Sequence, residues 1–329
     1  MEHEKSPHSE GEHNTIRSCD IHHTGDGGIR LSGGNRKTLE KCHHLATNYH
    51  IHHMGSWTRC NQSAVWISGV GIVVSHNEIH DAINLSGNEH SIEYNHIHHV
   101  CEETGDVGAF YMGRDWTERG NKIRHNFFHD TQGFGLGSNA VYLDDCASGS
   151  IVYGNVFYRC TRATFIGGGR NHRIENNIFV RCEPAIQIDG RGLDPKPVWQ
   201  EMVHETMRRS LEAVDHHQPP YSTSYPDLKE LDTFYANGVG VPPEGNLITR
   251  NICVGGQWLV TRWHAHPSMV AVQNNFIDQD PGFFDEAGRD FRLPEDSPVN
   301  EIGFKPIPFE KIGLFQDDYR QNINAPQTN

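Results

Sequence analysis

The chain reads as an all-β protein: one stacked β-solenoid carrying a short α-helical insertion. Three observations predict this. A short phrase recurs as His76-Asn77-Glu78-Ile79-His80, Tyr94-Asn95-His96-Ile97-His98 and His125-Asn126-Phe127-Phe128-His129, then around Asn155, Asn177, Asn251 and Asn275. A second short apolar strand follows the copies in strict alternation, as in Ala82-Ile83-Asn84-Leu85-Ser86 and Ala140-Val141-Tyr142-Leu143-Asp144. No helical period runs under the repeat, which is the pattern of coils that bury their apolar faces on one another.

Successive Asn copies lie 18, 31, 29, 22, 74 and 24 residues apart. A coil of about 22 residues fits the 155–177 pair, and the excesses are loops thrown out from the coil. Weaker early copies occur at Cys19-Asp20-Ile21-His22-His23 and Tyr49-His50-Ile51-His52-His53, where Cys19 and Tyr49 hold the Asn position. The Asn column itself is expected to be structural. Asn tolerates left-handed backbone, and its amide can bond to backbone or to the next amide in the stack. In the second strand Ile29/Leu31, Val65/Ile67, Ile83/Leu85, Phe110/Met112 and Val141/Leu143 are expected to point inward.

The repeat spans roughly residues 14 to 280, so residues 1–329 are read as one domain with a C-terminal tail from about 281. Residues 193–245 break the pattern. Apolar side chains at 199, 203, 207, 211 and 214 predict a helix there, and residues 226–231 predict a second, shorter one. This insertion is read as a lid or flank beside the solenoid. Glycine is abundant (33) and charged residues are modest (21%), as suits a loop-rich β protein.

Net charge is −14, which argues against a nucleic-acid partner, because phosphate binding needs a basic face. No apolar run is long enough to span a membrane. The first residues are polar and lack a signal-peptide core, so a cytoplasmic location is the expectation from the chain as given. The repeat is already running by about residue 14 with no evident cap, so the natural domain is expected to begin earlier or to be a short relative. Eight cysteines occur with no CxxC pair, and free buried thiols are expected. Cys160 and Cys182 hold one repeat position and should stack, and the set mildly favours a reducing compartment.

The outward residues of the second strand are Arg30, Trp66, Asn84, Tyr111, Tyr142, Phe165 and Gln187. Four are aromatic, so the column reads as a sugar-binding groove, or else as a flank covered by the insertion. Carboxylates gather beside it. Asp106 precedes the Tyr111 strand, and Asp144 points the same way as Tyr142 by alternation. Asp145 takes its place if the strand ends in a bulge. Asp115 and Asp189 are either site residues or turn residues. Glycoside hydrolysis needs two carboxyls, one protonated and one acting as base or nucleophile, and close carboxylates push each other's pKa apart. Arg114, Arg170 and Arg191 follow the same strands as substrate holders or as solvated turn residues.

The 24 histidines recur at one turn, so they read as a corner ladder, and no metal site is expected. Among them His23, His53, His99 and His129 are candidates for the groove mouth.

Several segments resemble a group of bacterial right-handed parallel β-helix (pectin-lyase-like) proteins. They are Thr24-Gly25-Asp26-Gly27-Gly28-Ile29, Gly108-Ala109-Phe110-Tyr111, Gly113-Arg114-Asp115-Trp116, Val141-Tyr142-Leu143-Asp144-Asp145-Cys146-Ala147-Ser148-Gly149, Phe165-Ile166-Gly167-Gly168-Gly169-Arg170 and the tail 303–314. The group is similar to glycoside hydrolase family 141, whose activities include α-L-fucosidase and xylanase. The resemblance implies a right-handed coil and an Asp pair on adjacent coils, matched here by Asp106 with Asp144 or Asp145. It also implies relatives that are often secreted or periplasmic, with a longer N-terminal part than this chain has.

The leading expectation is a glycoside hydrolase acting on a plant or microbial polysaccharide, without a cofactor. Asp106, Asp144 and Asp145 are the candidate catalytic carboxyls. Trp66, Tyr111, Arg114, Asp115, Tyr142, Phe165, Arg170, Gln187 and Asp189 are the candidate substrate contacts. The alternatives are a polysaccharide lyase or uronate epimerase, in which Ca²⁺ on Asp ligands would be expected, and a non-catalytic carbohydrate-binding solenoid.

Overall fold

A computed structural model describes residues 8–9, 11–57, 62–102, 104–135 and 137–323. The chain is a right-handed parallel β-helix, the hand that twisted strands impose on parallel crossovers. Three parallel sheets of nine strands each run the length of the molecule. Each coil contributes one strand to every sheet in turn. One coil, for example, runs through Val107–Gly113 in the first sheet, Lys122–Arg124 in the second and Phe127–His129 in the third. The next coil enters the first sheet at Ser138–Asp144.

Alternation sets the core as expected. Ile29, Leu31, Val65, Ile67, Ile83, Leu85, Phe110, Met112, Val141 and Leu143 are all buried. Burying such a side chain is worth about 1.5–3 kcal/mol, and each coil supplies several. Within the third sheet, Phe128, Phe157 and Phe179 stack on successive coils with ring centroids 5.2 and 4.9 Å apart.

The Asn column is a hydrogen-bonded ladder. Asn126 donates its backbone N–H and its side-chain amide to Asn155 Oδ1, both at 2.9 Å. Asn155 does the same to Asn177 at 2.9 and 3.0 Å, and Asn177 to Asn251 at 3.0 Å. The 74-residue gap in sequence is thus one step of the ladder. Tyr49 stands at the Asn position, and its N–H donates to Asn77 Oδ1 at 2.8 Å. One detail differs from expectation. The left-handed residue is the one before the ladder Asn: His76, Tyr94, His125, Gly154, Asn176, Arg250 and Asn274 all have φ between 52° and 64°. The ladder Asn is selected for its amide, and the turn strain falls on its neighbour.

Stacked glycines mark where backbones crowd. Gly69 and Gly87 both have φ of 110°, and a Cβ on either would lie within 2.0 Å of the carbonyl oxygen of the preceding coil's glycine. Only glycine fits there. Cys160 and Cys182 stack in neighbouring coils, and among the described residues the cysteines are free thiols. Cys60 lies outside the described residues.

The insertion is helical. Pro197–Glu201 and Arg208–Ala213 are α-helices joined by a π-turn at Met202–Met207. Glu230–Asn237 is a further helix, longer than the sequence pattern predicted. Val203, Met207, Leu211, Leu228 and Leu231 pack with Trp116 and Cys146 into a second core along the edge between the first and second sheets. The tail forms a third core. Phe291, Val299, Phe304 and Ile307 cover the outward residues Val156, Tyr158, Ile178, Val180 and Ile252 of the third sheet. It then runs back along the ladder turn as a strap. Lys305 bonds Asn176, Gly313 donates to the Tyr94 carbonyl, and Phe315 bonds Asn48.

Candidate active site

The outward column of the first sheet is in the expected register, Arg30, Trp66, Asn84, Tyr111, Tyr142, Phe165 and Gln187 lying one above another. Its upper half is the floor of a cavity of about 960 Å³, at the upper end of the range for small-molecule sites. Val198, Trp199, Glu201, Met202 and Thr206 of the insertion form one wall. Arg162, Glu183 and Pro184 come from the corners between the third and first sheets, and Gln257, Arg262 and Trp263 from the last coil.

A gap in the sheet organises the chemistry. The strand-end column reads Gly113, Asp144, Gly167 and Asp189 on successive coils. Gly167 has no side chain, and a Cβ there would lie 2.8 Å from the Arg191 guanidinium carbon. The guanidinium fills that space and holds Asp from the coils on either side. Arg191 donates to Asp189 through Nε (3.1 Å) and Nη2 (2.8 Å), to Asp145 Oδ1 through Nη1 (2.7 Å), and to Asp144. Arg114 Nε donates to the other oxygen of Asp145 at 2.6 Å.

Three buried carboxylates therefore share two guanidiniums. Asp145 has both, and Asp189 is chelated by Arg191. Asp144 receives a share of Arg191 and a hydrogen bond from the Tyr111 hydroxyl at 3.1 Å. It is the least compensated of the three. Burial raises the Asp144 carboxyl above its ordinary value; Arg191 opposes this, and the charge of Asp145 adds to it. Burial raises Asp189 as well, against the hydrogen bonds from Arg191. For Arg191, burial disfavours the charge, but the hydrogen bonds and charge of Asp189 and the charge of Asp144 more than offset it, so it is held charged.

Across the floor, the Tyr142 hydroxyl donates to Asp106 Oδ1 at 3.1 Å. Burial and then the charge of Asp144 raise the Tyr142 phenol, so it stays a neutral donor next to both carboxyls. Asp106 is exposed, whereas Asp144 is only 7% exposed. Two carboxyls in one cavity thus have opposite surroundings, which is the arrangement that divides acid from base.

The structure places the candidates as follows. Asp106, Arg114, Tyr142, Asp144, Asp145, Phe165 and Gln187 line the cavity. Tyr111 and Asp189 lie behind it, bonded to Asp144 and Arg191. Trp66 lies three strands below Tyr142, with the Arg30 guanidinium 4.0 Å over its ring. Asp115 and Arg170 face the insertion instead. Asp115 accepts from Thr117 and Arg36, and Arg170 bonds Glu230 and the Pro242 carbonyl, both at 2.7 Å. Arg170 anchors the insertion, because the turn after each first-sheet strand is where it packs. His23, His53, His99 and His129 lie on the third sheet and its corner, away from the cavity.

The aromatic column also differs from an open platform. Tyr142 and Phe165 stack on each other at 5.0 Å and 9°, so their faces meet one another and their edges meet the cavity. Two further aromatic rings border the cavity, Trp199, half-buried on the insertion, and Trp263, 53% exposed, each with the Arg191 guanidinium over one face at 5.0 and 5.7 Å. Trp199 was not marked by the repeat, since it lies in the insertion that interrupts it, and Trp263 directly follows the first-sheet strand Leu259–Arg262 of the last coil. A Ca²⁺ does not fit the Asp cluster: the oxygens of Asp144, Asp145 and Asp189 already accept from guanidiniums, and Ca²⁺ needs six or more free oxygen ligands.

No protein-family model matches this chain, and neither the characterised proteins nor the solved structures with which it was compared include a match.

Proposed function

We propose that the chain is a glycoside hydrolase cleaving O-glycosyl bonds of a plant or microbial polysaccharide or oligosaccharide. The observation that carries the reading is the pair of Asp106, exposed and bonded by the Tyr142 hydroxyl, and Asp144, buried with a raised pKa and bonded by the neighbouring Tyr111 hydroxyl. Asp144 protonates the glycosidic oxygen as the carbon–oxygen bond breaks, and the bonding pair leaves with that oxygen. Asp106 acts on the anomeric side, either attacking carbon or taking a proton from the attacking water. Tyr111 and Arg191 position Asp144, while Trp199 and Trp263 supply sugar-stacking faces. Asp145, tied by two guanidiniums, is a positioning group. The resemblance of residues 108–116 and 141–149 to glycoside hydrolase family 141 supports the same reading.

Arg114, Arg162 and Arg262 on the cavity wall favour a second reading, a lyase or epimerase in which a guanidinium neutralises a uronate carboxylate. Product analysis on a polysaccharide panel separates the two. The hydrolase reading predicts new reducing ends without ultraviolet absorbance, falling about 10²–10⁴-fold in Asp144→Asn. Absorbance of an unsaturated uronate would refute it in favour of the lyase. Binding without any product would leave a carbohydrate-binding solenoid.

A further inference from the structure

On the opposite flank, the third sheet carries an imidazole field that the proposed hydrolase does not use. Outward positions of its strands form two columns. One reads Asp20, His50, Glu78, His96 and Phe127, and the other includes His22, His52, His98 and His129, with His80 alongside. Glu78 is the acid in the middle of this field, between His50 below and His96 above. It is 7% exposed.

The atoms around Glu78 converge. Glu78 Oε1 lies 3.3 Å from His98 Nε2 and 3.8 Å from His80 Nε2. His50 offers a ring nitrogen within 4.8 Å of the ligand atoms of Glu78 and His80. The His80 and His98 rings are 4.1 Å apart and inclined at 60°, edge to face. His80 Nε2 is buried and lacks a hydrogen-bond partner. A buried ring nitrogen left unpaired is costly unless something occupies it.

These separations suit a metal. With metal–nitrogen and metal–oxygen bonds of about 2.0–2.2 Å, ligand atoms around a tetrahedral ion lie about 3.3–3.5 Å apart. The Glu78–His80 separation of 3.8 Å is within a few tenths of an ångström of that value.

We propose that His50, Glu78 and His80 form a binding site for a divalent late-first-row metal of the zinc class. Imidazole with one carboxylate is a donor set that zinc-class ions favour over Ca²⁺ or Mg²⁺. The ligands come from two successive coils, His50 from one and Glu78 and His80 from the next. The ion therefore staples coils together, and in a solenoid the interface between neighbouring repeats carries much of the stability.

The test is a Zn²⁺ titration of the chelator-treated full chain by calorimetry, with Co²⁺ as the spectroscopic probe. The expected result is a saturable site that raises the thermal midpoint and whose affinity falls at least about tenfold in Glu78→Gln and in His50→Gln. The double variant His216→Gln/His217→Gln removes a separate His–Asp cluster on the insertion and should leave the site intact. Zn²⁺ binding abolished by that control but unchanged in Glu78→Gln and His50→Gln overturns the proposal, as does absence of binding to the wild type. If a variant fails to fold, the wild-type Co²⁺ spectrum decides. Intense visible bands of a four-coordinate nitrogen–oxygen site support it, and the weak bands of a hydrated ion refute it.

Discussion

Replacing Arg191 by Met probes the centre of the candidate site. The guanidinium is 3% exposed and touches Asp144, Asp145 at 2.7 Å and Asp189 at 2.8 Å. Methionine fills much of the volume but leaves buried carboxylates unpaired, which costs about 3–5 kcal/mol. For a chain of 329 residues the unfolding entropy is about 0.7 kcal/mol/K, so the thermal midpoint should fall by about 4–7 °C at neutral pH. The pH dependence gives a sharper signature. Asp144 and Asp189 are raised above 3.8 by burial. Their contribution to stability is therefore fully present below 3.8 and is lost as pH rises through the raised values. Removing Arg191 takes away the attraction that opposed the rise, so the values climb further. The deficit of Arg191→Met should be largest at about pH 7.5 and shrink towards about pH 5, where protons replace the missing cation. Calorimetric melts of both proteins at the two pH values read this out. Equal midpoints at neutral pH, or a deficit of the same size at both, would refute the argument.

Other consequences are as specific. Asn155→Ala should cost about 2–4 kcal/mol in a urea titration, since it strands the buried Asn126 N–H and breaks the ladder in both directions. Asn275→Ala, at the half-buried end of the ladder, should cost about 1 kcal/mol. Gly69→Ala should lose about 3 kcal/mol or more, because its Cβ meets the Gly33 carbonyl oxygen at 1.9 Å. Gly135→Ala, with nothing within 4 Å, should lose only about 1 kcal/mol. Burial raises the Cys146 and Cys182 thiols well above their ordinary value and pushes Cys253 up to about 12. Mass-spectrometric mapping at about pH 8 should find these three unlabelled by a thiol reagent until the protein is unfolded.

Much of this architecture is legible in the residues because a parallel coil is a local object. Alternation alone placed Ile83/Leu85 inside and Tyr142 with Asp144 outside, and the Asn spacings marked the coils on both sides of the 74-residue interruption. The same reasoning brought Asp106 next to Tyr142, since one coil's start lies over the next coil's strand. What depends on the interruptions was not legible. Arg191 follows Asp189 in a turn, and only the gap left by Gly167 on the neighbouring coil shows that it reaches three carboxylates. Asp115 and Arg170 have the composition of site residues but lie under the insertion, whose path no period encodes. Trp199 reaches the cavity for the same reason. The histidines repeat so evenly that they read as a corner ladder, and their convergence on Glu78 depends on ring orientations that spacing does not specify.

The most direct test is a crystal structure of Asp144→Asn with an oligosaccharide that the wild type cleaves. The account predicts sugar in the cavity between the Tyr142–Phe165 edge and Trp199 with Trp263. Its glycosidic oxygen should sit beside the substituted amide, with Asp106 facing the anomeric carbon. Sugar bound elsewhere on the solenoid, with the cavity empty, would contradict it.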